Sequence, residues 1–145
     1  MTLHPDLVRA RLEEIARVMA ELGKYRGTGA DALRQDMSLR WIVERGILAG
    51  AGLVFDVADH VLASVFSEYP DSYEASLTAL RDHAVVSGPL YDRIHGLGHV
   101  RNLLAHDYVK IDMDLLAQHL EDMLSLLPDF CAELDAWLTS RSDQP

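Results

Sequence analysis

Apolar residues recur at steps of three and four along almost the whole chain. No stretch alternates apolar and polar residues for long enough to predict a strand. The spacing predicts helices at about 5–25, 31–66, 71–83 and 89–105, and a last helix after Asp112. We therefore expect an all-α fold, an up-down antiparallel bundle of about five helices. Residues 1–139 should form one domain and 140–145 a disordered tail.

The three longest predicted helices carry the core. The first and last have regular apolar stripes, and Pro128 should kink or divide the last. The second has the stripe Met37, Trp41, Glu44, Leu48, Ala51, Phe55, Ala58, Leu62 and Val65. Its three glycines should permit close helix contacts or a kink: Gly46, Gly50 and Gly52. The second and last helices also suit pairing across a two-fold dimer axis.

Composition limits the setting and the partners. The net charge is −10, from 23 acidic and 13 basic residues. This charge opposes non-specific binding of DNA or RNA, but it does not exclude a small local binding site. It favours a partner with a basic surface, or it serves only to keep the protein soluble. Cys131 is the single cysteine, and the longest weakly charged stretch, 46–54, is far too short for a membrane span. We expect a soluble, cytoplasmic chain without a membrane partner.

One polar cluster carries groups for chemistry. Arg101, Asn102, His106 and Tyr108 lie at Arg-x4-His-x-Tyr spacing. A guanidinium neutralises a phosphate, an imidazole moves protons near neutral pH, and a phenol can act as nucleophile, proton donor or modification site. The ordinary alternative is a histidine that caps a helix end. On a regular helix Arg101 and His106 point about 140° apart, so either the helix breaks inside the motif or two chains share the site.

Charged residues also interrupt two apolar stripes, Glu44 in the second helix and Arg101 in the fourth. A lone buried charge is costly, so we hypothesise that Glu44 pairs with Arg101 and orients it; the alternative is that each reaches solvent. A second stripe of the fourth helix contains His95 and His99 at a spacing that can chelate zinc. Without a third ligand nearby, a polar face along a cleft is the better interpretation, and we expect no metal.

The segment from Gly98 to Tyr108 resembles the signature of HEPN domains of the HepT branch, Arg-Asn-x-x-x-His-x-Tyr. Four other parts are similar to that family: 40–45, 55–60, the turn at 70–73 and the leucine-rich helix after Asp112. The resemblance covers roughly residues 5–138.

This resemblance implies a homodimer with both motifs near one cleft. It further implies the toxin of a toxin–antitoxin pair, a metal-independent endoribonuclease without a cofactor, neutralised by a minimal nucleotidyltransferase. Arg101 would contact the scissile phosphate of the RNA, His106 would act as general base or acid, Asn102 would position one of them, and Tyr108 would assist. The antitoxin would transfer AMP to Tyr108, beside Asp107. Two alternatives remain: a non-catalytic module that binds the nucleotidyltransferase and is modified on Tyr108, and a helical dimer with a remnant cleft.

Overall fold

A computed structural model describes residues 2–106 and 108–143, and this part of the chain contains helices and no strand. The all-α prediction is confirmed. Two 3₁₀ turns occur at Gly23–Tyr25 and Tyr108–Lys110 in this part of the chain. In chain order the α-helices are α1 Pro5–Leu22, α2 Ala30–Gln35, α3 Met37–Phe66, α4 Tyr73–Asp82, α5 Gly88–Ile94, α6 Leu97–His106 and α7 Met113–Ser142.

Three long helices form the frame of the bundle. Helix α1 packs against α3 and α7, and α3 also contacts α4 and α6. The predicted stripe of α1 is buried at every position: Val8, Leu12, Ile15, Met19 and Leu22. The leucine-rich stripe of α7 is buried in the same core, with Trp137 partly exposed at its end. Continuous burial along both helices explains why the periodicity alone located them.

Two glycines of α3 lie at close contacts with neighbouring helices. A Cβ added to Gly46 would lie 2.7 Å from Leu22 Cδ1, and one added to Gly50 would lie 2.9 Å from Leu127 Cδ2. The expected close contact is therefore present at both. Gly52 has no neighbouring atom within 4 Å of an added Cβ, so it does not serve that purpose.

Two of the predicted helices are each divided. At Asp36 the backbone is extended (φ −125°, ψ 100°), and the side chain accepts the Leu39 N–H at 3.1 Å, so Asp36 ends α2 and caps α3. Residues His95 and Gly96 separate α5 from α6. An aspartate that satisfies a free N–H makes a new helix start as favourable as continuing the old helix.

The predicted stripe of the second helix is wrong at its start. Met37 and Trp41 are 50% and 57% exposed, whereas Val43, Glu44 and Ile47 are buried. By length and composition α3 could cross a membrane, with a mean hydropathy of 1.5 in its most apolar window, but 56% of that window is buried in the bundle. A core helix passes the same test, so this is weak evidence for a span.

The last helix is undivided and longer than predicted. Pro128 lies inside α7 on its exposed side, where water can bond the carbonyl oxygen that proline leaves without an N–H partner. Helix α7 extends to Ser142, so the expected tail is helical at 140–142; residues 144–145 of that tail lie outside the described residues. Helix α4 begins at Tyr73, because Ser72 caps it and accepts the Ala75 N–H at 3.1 Å.

Candidate active site

Arg101 and His106 meet at the end of α6. Their side chains are 3.5 Å apart, measured from Arg101 Nη1 to His106 Nε2. A guanidinium can only donate, so this contact requires a neutral imidazole with the lone pair on Nε2. At 3.5 Å it is a weak hydrogen bond at most. His106 is exposed and Arg101 is partly exposed, so both groups can reach a ligand from solvent.

The expectation that a regular helix keeps these two side chains apart is wrong. Helix α6 continues through the motif to His106, its last residue, and the pair still converges within one chain. The angle between Cα positions ignores the length of the arginine side chain, which can bend along the helix surface toward its end. Neither a break inside the motif nor a second chain is needed for the contact.

An aromatic ring supports the guanidinium. The Cζ of Arg101 lies 5.2 Å from the centre of the Tyr73 ring, within cation–π range. The Tyr73 ring in turn packs against Phe55, with 4.3 Å between ring centres. Gly98 allows this arrangement, because a Cβ on it would lie 2.4 Å from Tyr73 Cβ. The family resemblance of the sequence covers Tyr73 as part of the turn at 70–73 and assigns it no role.

Glu44 pairs with a neighbour in its own helix and not with Arg101. Its Oε1 accepts from Arg40 Nε at 2.5 Å, and both side chains are largely buried, 10% and 18% exposed. Within the described part of a single chain no ion pair up to 4.0 Å joins Glu44 to Arg101, so the predicted pairing is wrong there. Residues at i and i+4 are natural partners, and pairing satisfies a buried carboxylate. A contact across a dimer stays a prediction.

The remaining motif residues lie around this pair. Asn102 is exposed and makes no side-chain hydrogen bond to Arg101 or His106; it borders a cleft next to Tyr73. Tyr108 begins the 3₁₀ turn that follows α6, but its side chain is not among the described parts. Asp107 lies outside the described residues. The roles expected of Asn102, Asp107 and Tyr108 therefore stay predictions.

The histidines on the other face of α6 do not form a metal centre in the described residues. His95 lies in the break between α5 and α6, and His99 lies in α6, so the two are not on one continuous helix. No group of three or more His, Cys, Asp or Glu side chains suited to a metal ion occurs in the described part of the chain. Burial lowers the pKa of His119 on α7 below its usual value; the charge of Asp122 opposes this shift, and His99 adds to it with a smaller effect.

An arginine beside a histidine at an exposed helix end is a pair of groups suited to acid–base chemistry on a phosphodiester. Comparison with known proteins narrows this chemistry to one family. The family model described as "Ribonuclease HepT-like" matches residues 12–134, so the chain belongs to the HepT-like ribonuclease family. The expected family and enzyme class are thereby confirmed.

Individual relatives agree with this family. The chain is 24% identical to "mRNA nuclease HepT" of Shewanella oneidensis, over 88% of this chain and 98% of that protein. It is 21% identical to "tRNA nuclease HepT" of Aphanizomenon flos-aquae, over 98% and 97%. Among solved structures, a tri-AMPylated S. oneidensis HEPN toxin in complex with MNT antitoxin aligns with a TM-score of 0.80 and 22% identity, over 90% of this chain and 98% of that chain. This structural likeness shows the shared helical fold.

Proposed function

We propose that this protein is an endoribonuclease that cleaves RNA without a metal ion, through Arg101 and His106. The observation that supports it most is the 3.5 Å approach of the two side chains at an exposed helix end. In this mechanism neutral His106 takes the proton from a ribose 2′-hydroxyl through Nε2. The 2′-oxygen then forms a bond to phosphorus while the bond to the 5′-oxygen breaks, and the leaving 5′-oxygen takes up a proton. Arg101 neutralises the charge that develops on the phosphate.

A homodimer that places both motifs at one cleft would complete this mechanism. The attacking hydroxyl needs a base and the leaving oxygen needs an acid, and each chain supplies one His106. Two copies that face each other would supply both groups at once. Mixing wild-type chains with His106→Ala chains tests this sharing. We expect the mixed dimers to be inactive, because each retains only one of the two imidazoles; mixed dimers that still cleave RNA would confine the site to a single chain.

We also propose that the protein is a cytoplasmic toxin held inactive by a nucleotidyltransferase antitoxin, which adds AMP to Tyr108. The support is the relative crystallised as an AMPylated toxin with its antitoxin, together with the position of Tyr108 directly after the helix that carries Arg101 and His106. Phosphates attached there would compete with RNA for the guanidinium. Asp107, which precedes Tyr108 in the sequence, would assist the transfer.

A second candidate is a non-catalytic module whose task is to bind the nucleotidyltransferase and accept AMP on Tyr108. The net charge of −10 favours it, because few charges attract RNA to this surface. That module would need Tyr108 but neither Arg101 nor His106.

One set of variants separates the two candidates. Purified chains with His106→Ala, Arg101→Ala and Tyr108→Phe are incubated with RNA in EDTA, and the new ends are analysed for cyclic phosphate. The matched control is His99→Ala, which removes an exposed histidine from the same helix. We expect the first two changes to abolish cleavage and the control to retain it. Cleavage by His106→Ala at the wild-type rate would remove His106 from the chemistry, and dependence on added metal would contradict the mechanism.

A further inference from the structure

A polar cleft of about 460 Å³ adjoins the candidate active site. Tyr73 connects the two, since its ring lines the cleft and also lies under the Arg101 guanidinium. Asn102, the neighbour of Arg101 in α6, borders the cleft as well. The volume lies in the range of pockets that hold small organic groups. A group seated there would be adjacent to a phosphate held by Arg101, at a place that the cleavage chemistry itself does not use.

The lining of the cleft accepts hydrogen-bond donors and repels phosphate. Among the described residues it contains the carboxylates of Asp59 and Asp71, the hydroxyls of Ser72 and Ser76, and no lysine or arginine. A nucleotide chain could therefore place its phosphate at Arg101 and a neutral part in the cleft. Because carboxylates only accept, the preferred neutral group is one with N–H donors.

A hydrogen bond from Ser76 holds the Asp59 carboxylate at the cleft. Its Oδ1 lies 3.3 Å from the hydroxyl of Ser76, which is buried at 2% exposure and also lies 3.2 Å from the Ser72 carbonyl oxygen. Partial burial raises the pKa of the Asp59 carboxyl above its usual value, and Asp56 adds to the rise, while the Ser76 hydrogen bond opposes it. A partly desolvated carboxylate gains more from new donors than a fully hydrated one does.

We propose that this cleft binds the nucleobase next to the scissile phosphate and that Asp59 gives it a preference for guanine. Guanine presents two parallel donors, N1–H and the 2-amino group, which match the two oxygens of one carboxylate. Uracil has one such donor, and adenine and cytosine each present an acceptor beside their amino group. Tyr73 and Pro70 supply apolar walls for a planar ring, and the Asn102 amide can both donate and accept. The proposal rests on the proposed ribonuclease function.

The test changes one hydrogen-bonding group on the RNA and one on the protein. The RNAs are short oligouridylates with a single central guanosine, inosine, adenosine or cytidine, and inosine lacks only the 2-amino group. The proteins are the wild type, Asp59→Asn, and the control Asp92→Asn, which removes an exposed carboxylate on α5 away from the cleft. Cleavage is measured with active chains, and binding is measured by fluorescence anisotropy in the His106→Ala background. Melting temperatures verify that all variants fold.

We expect the wild type to prefer guanosine over inosine by about tenfold in both assays, within the discrimination that a bidentate base contact gives. Asp59→Asn should reduce this ratio to near one, whereas Asp92→Asn should keep it. A general loss of stability would lower cleavage and binding of all four RNAs alike and leave the ratio of guanosine to inosine unchanged. A lower ratio in Asp59→Asn therefore reports on the base contact, and an unchanged ratio would overturn the proposal.

The two assays also separate this inference from the proposed function. Cleavage with equal rates for all four RNAs would refute the guanine cleft and leave the ribonuclease function intact. Guanosine-selective binding that depends on Asp59, without cleavage by the wild type, would support the cleft and refute the ribonuclease function. If the wild type shows no cleavage and no selective binding, both the guanine cleft and the ribonuclease function are refuted.

Discussion

The contact between Gly98 and Tyr73 offers a sharp test of how the site is built. A Cβ on residue 98 would lie 2.4 Å from Tyr73 Cβ and 3.3 Å from Tyr73 Cγ. Real Cβ atoms essentially never approach closer than 3.0 Å, so Gly98→Ala requires a separation of at least the 0.6 Å difference. The obstructing atom is next to the backbone and cannot rotate away. Helix α4 or α6 must therefore move, and Arg101 lies one turn further along α6.

The expected magnitude follows from two opposing effects. Overpacking of this kind costs about 1–3 kcal/mol. Alanine in a helix gains up to about 1 kcal/mol over glycine. The control Gly52→Ala has the second effect alone, because an added Cβ meets no atom within 4 Å there. The difference in unfolding free energy between the two variants should therefore equal the steric cost, about 1–3 kcal/mol, with Gly98→Ala the less stable.

The assay is urea unfolding, followed by RNA cleavage at a temperature where both variants remain folded. Displacement of the guanidinium from the Tyr73 ring by a fraction of an ångström should also lower the cleavage rate of Gly98→Ala, by about tenfold or more. Gly52→Ala should cleave at the wild-type rate. Equal stability and equal cleavage in the two variants would show that the α4–α6 contact neither is tight nor positions Arg101.

Three further outcomes follow from the structure. Asp36→Ala removes the cap that accepts the Leu39 N–H and should lower the unfolding free energy by about 1 kcal/mol in urea titrations; an unchanged value would mean that water replaces the cap. Burial lowers the pKa of His60 and of His119 below the usual 6.5, so the unfolded chain binds more protons than the folded chain as pH falls through 6.5. The free energy of unfolding, measured in urea at a series of pH values, should therefore decrease as the pH falls through 6.5. The decrease should be less steep in a His60→Gln, His119→Gln double variant; an equal slope would assign the effect to other groups. Burial raises the pKa of Cys131 from 9.0 to about 11, so at pH 8 iodoacetamide should alkylate the folded chain about 100-fold more slowly than the urea-unfolded chain; equal rates would contradict the burial of the thiol.

The sequence was most informative where one helix face is buried along its whole length. The stripes of α1 and α7 were predictable because burial leaves a regular apolar pattern. The break at Asp36 was not, since a capping aspartate looks the same in a sequence as an exposed aspartate inside a helix. The exposed start of α3 was also missed, because an apolar residue such as Trp41 fits the stripe whether or not anything packs over it.

The site depends on contacts between residues that are distant in sequence, and the helical periodicity of the sequence does not predict such contacts. Tyr73 and Arg101 meet only because Gly98 lets α6 approach the start of α4. Periodicity identifies which face of a helix is buried, but it does not identify the neighbour across the interface. The convergence of Arg101 with His106 was missed for a different reason, because an angle between backbone positions does not account for a long flexible side chain.

The support of Arg101 by a ring and not by a carboxylate has a consequence for chemistry. A cation–π contact at a partly exposed site is worth about 0.5–1 kcal/mol and leaves the positive charge unneutralised. A salt bridge to Glu44 would hold the guanidinium more firmly, but it would have to be broken before a phosphate could bind in its place. Arg40 instead takes up the Glu44 carboxylate, and in the described part of the chain no carboxylate lies within 4.0 Å of Arg101. The arrangement that the sequence predicted would have stabilised the site without substrate. In the proposed mechanism the observed arrangement, with no Glu44 salt bridge to break, lets Arg101 bind a phosphate directly.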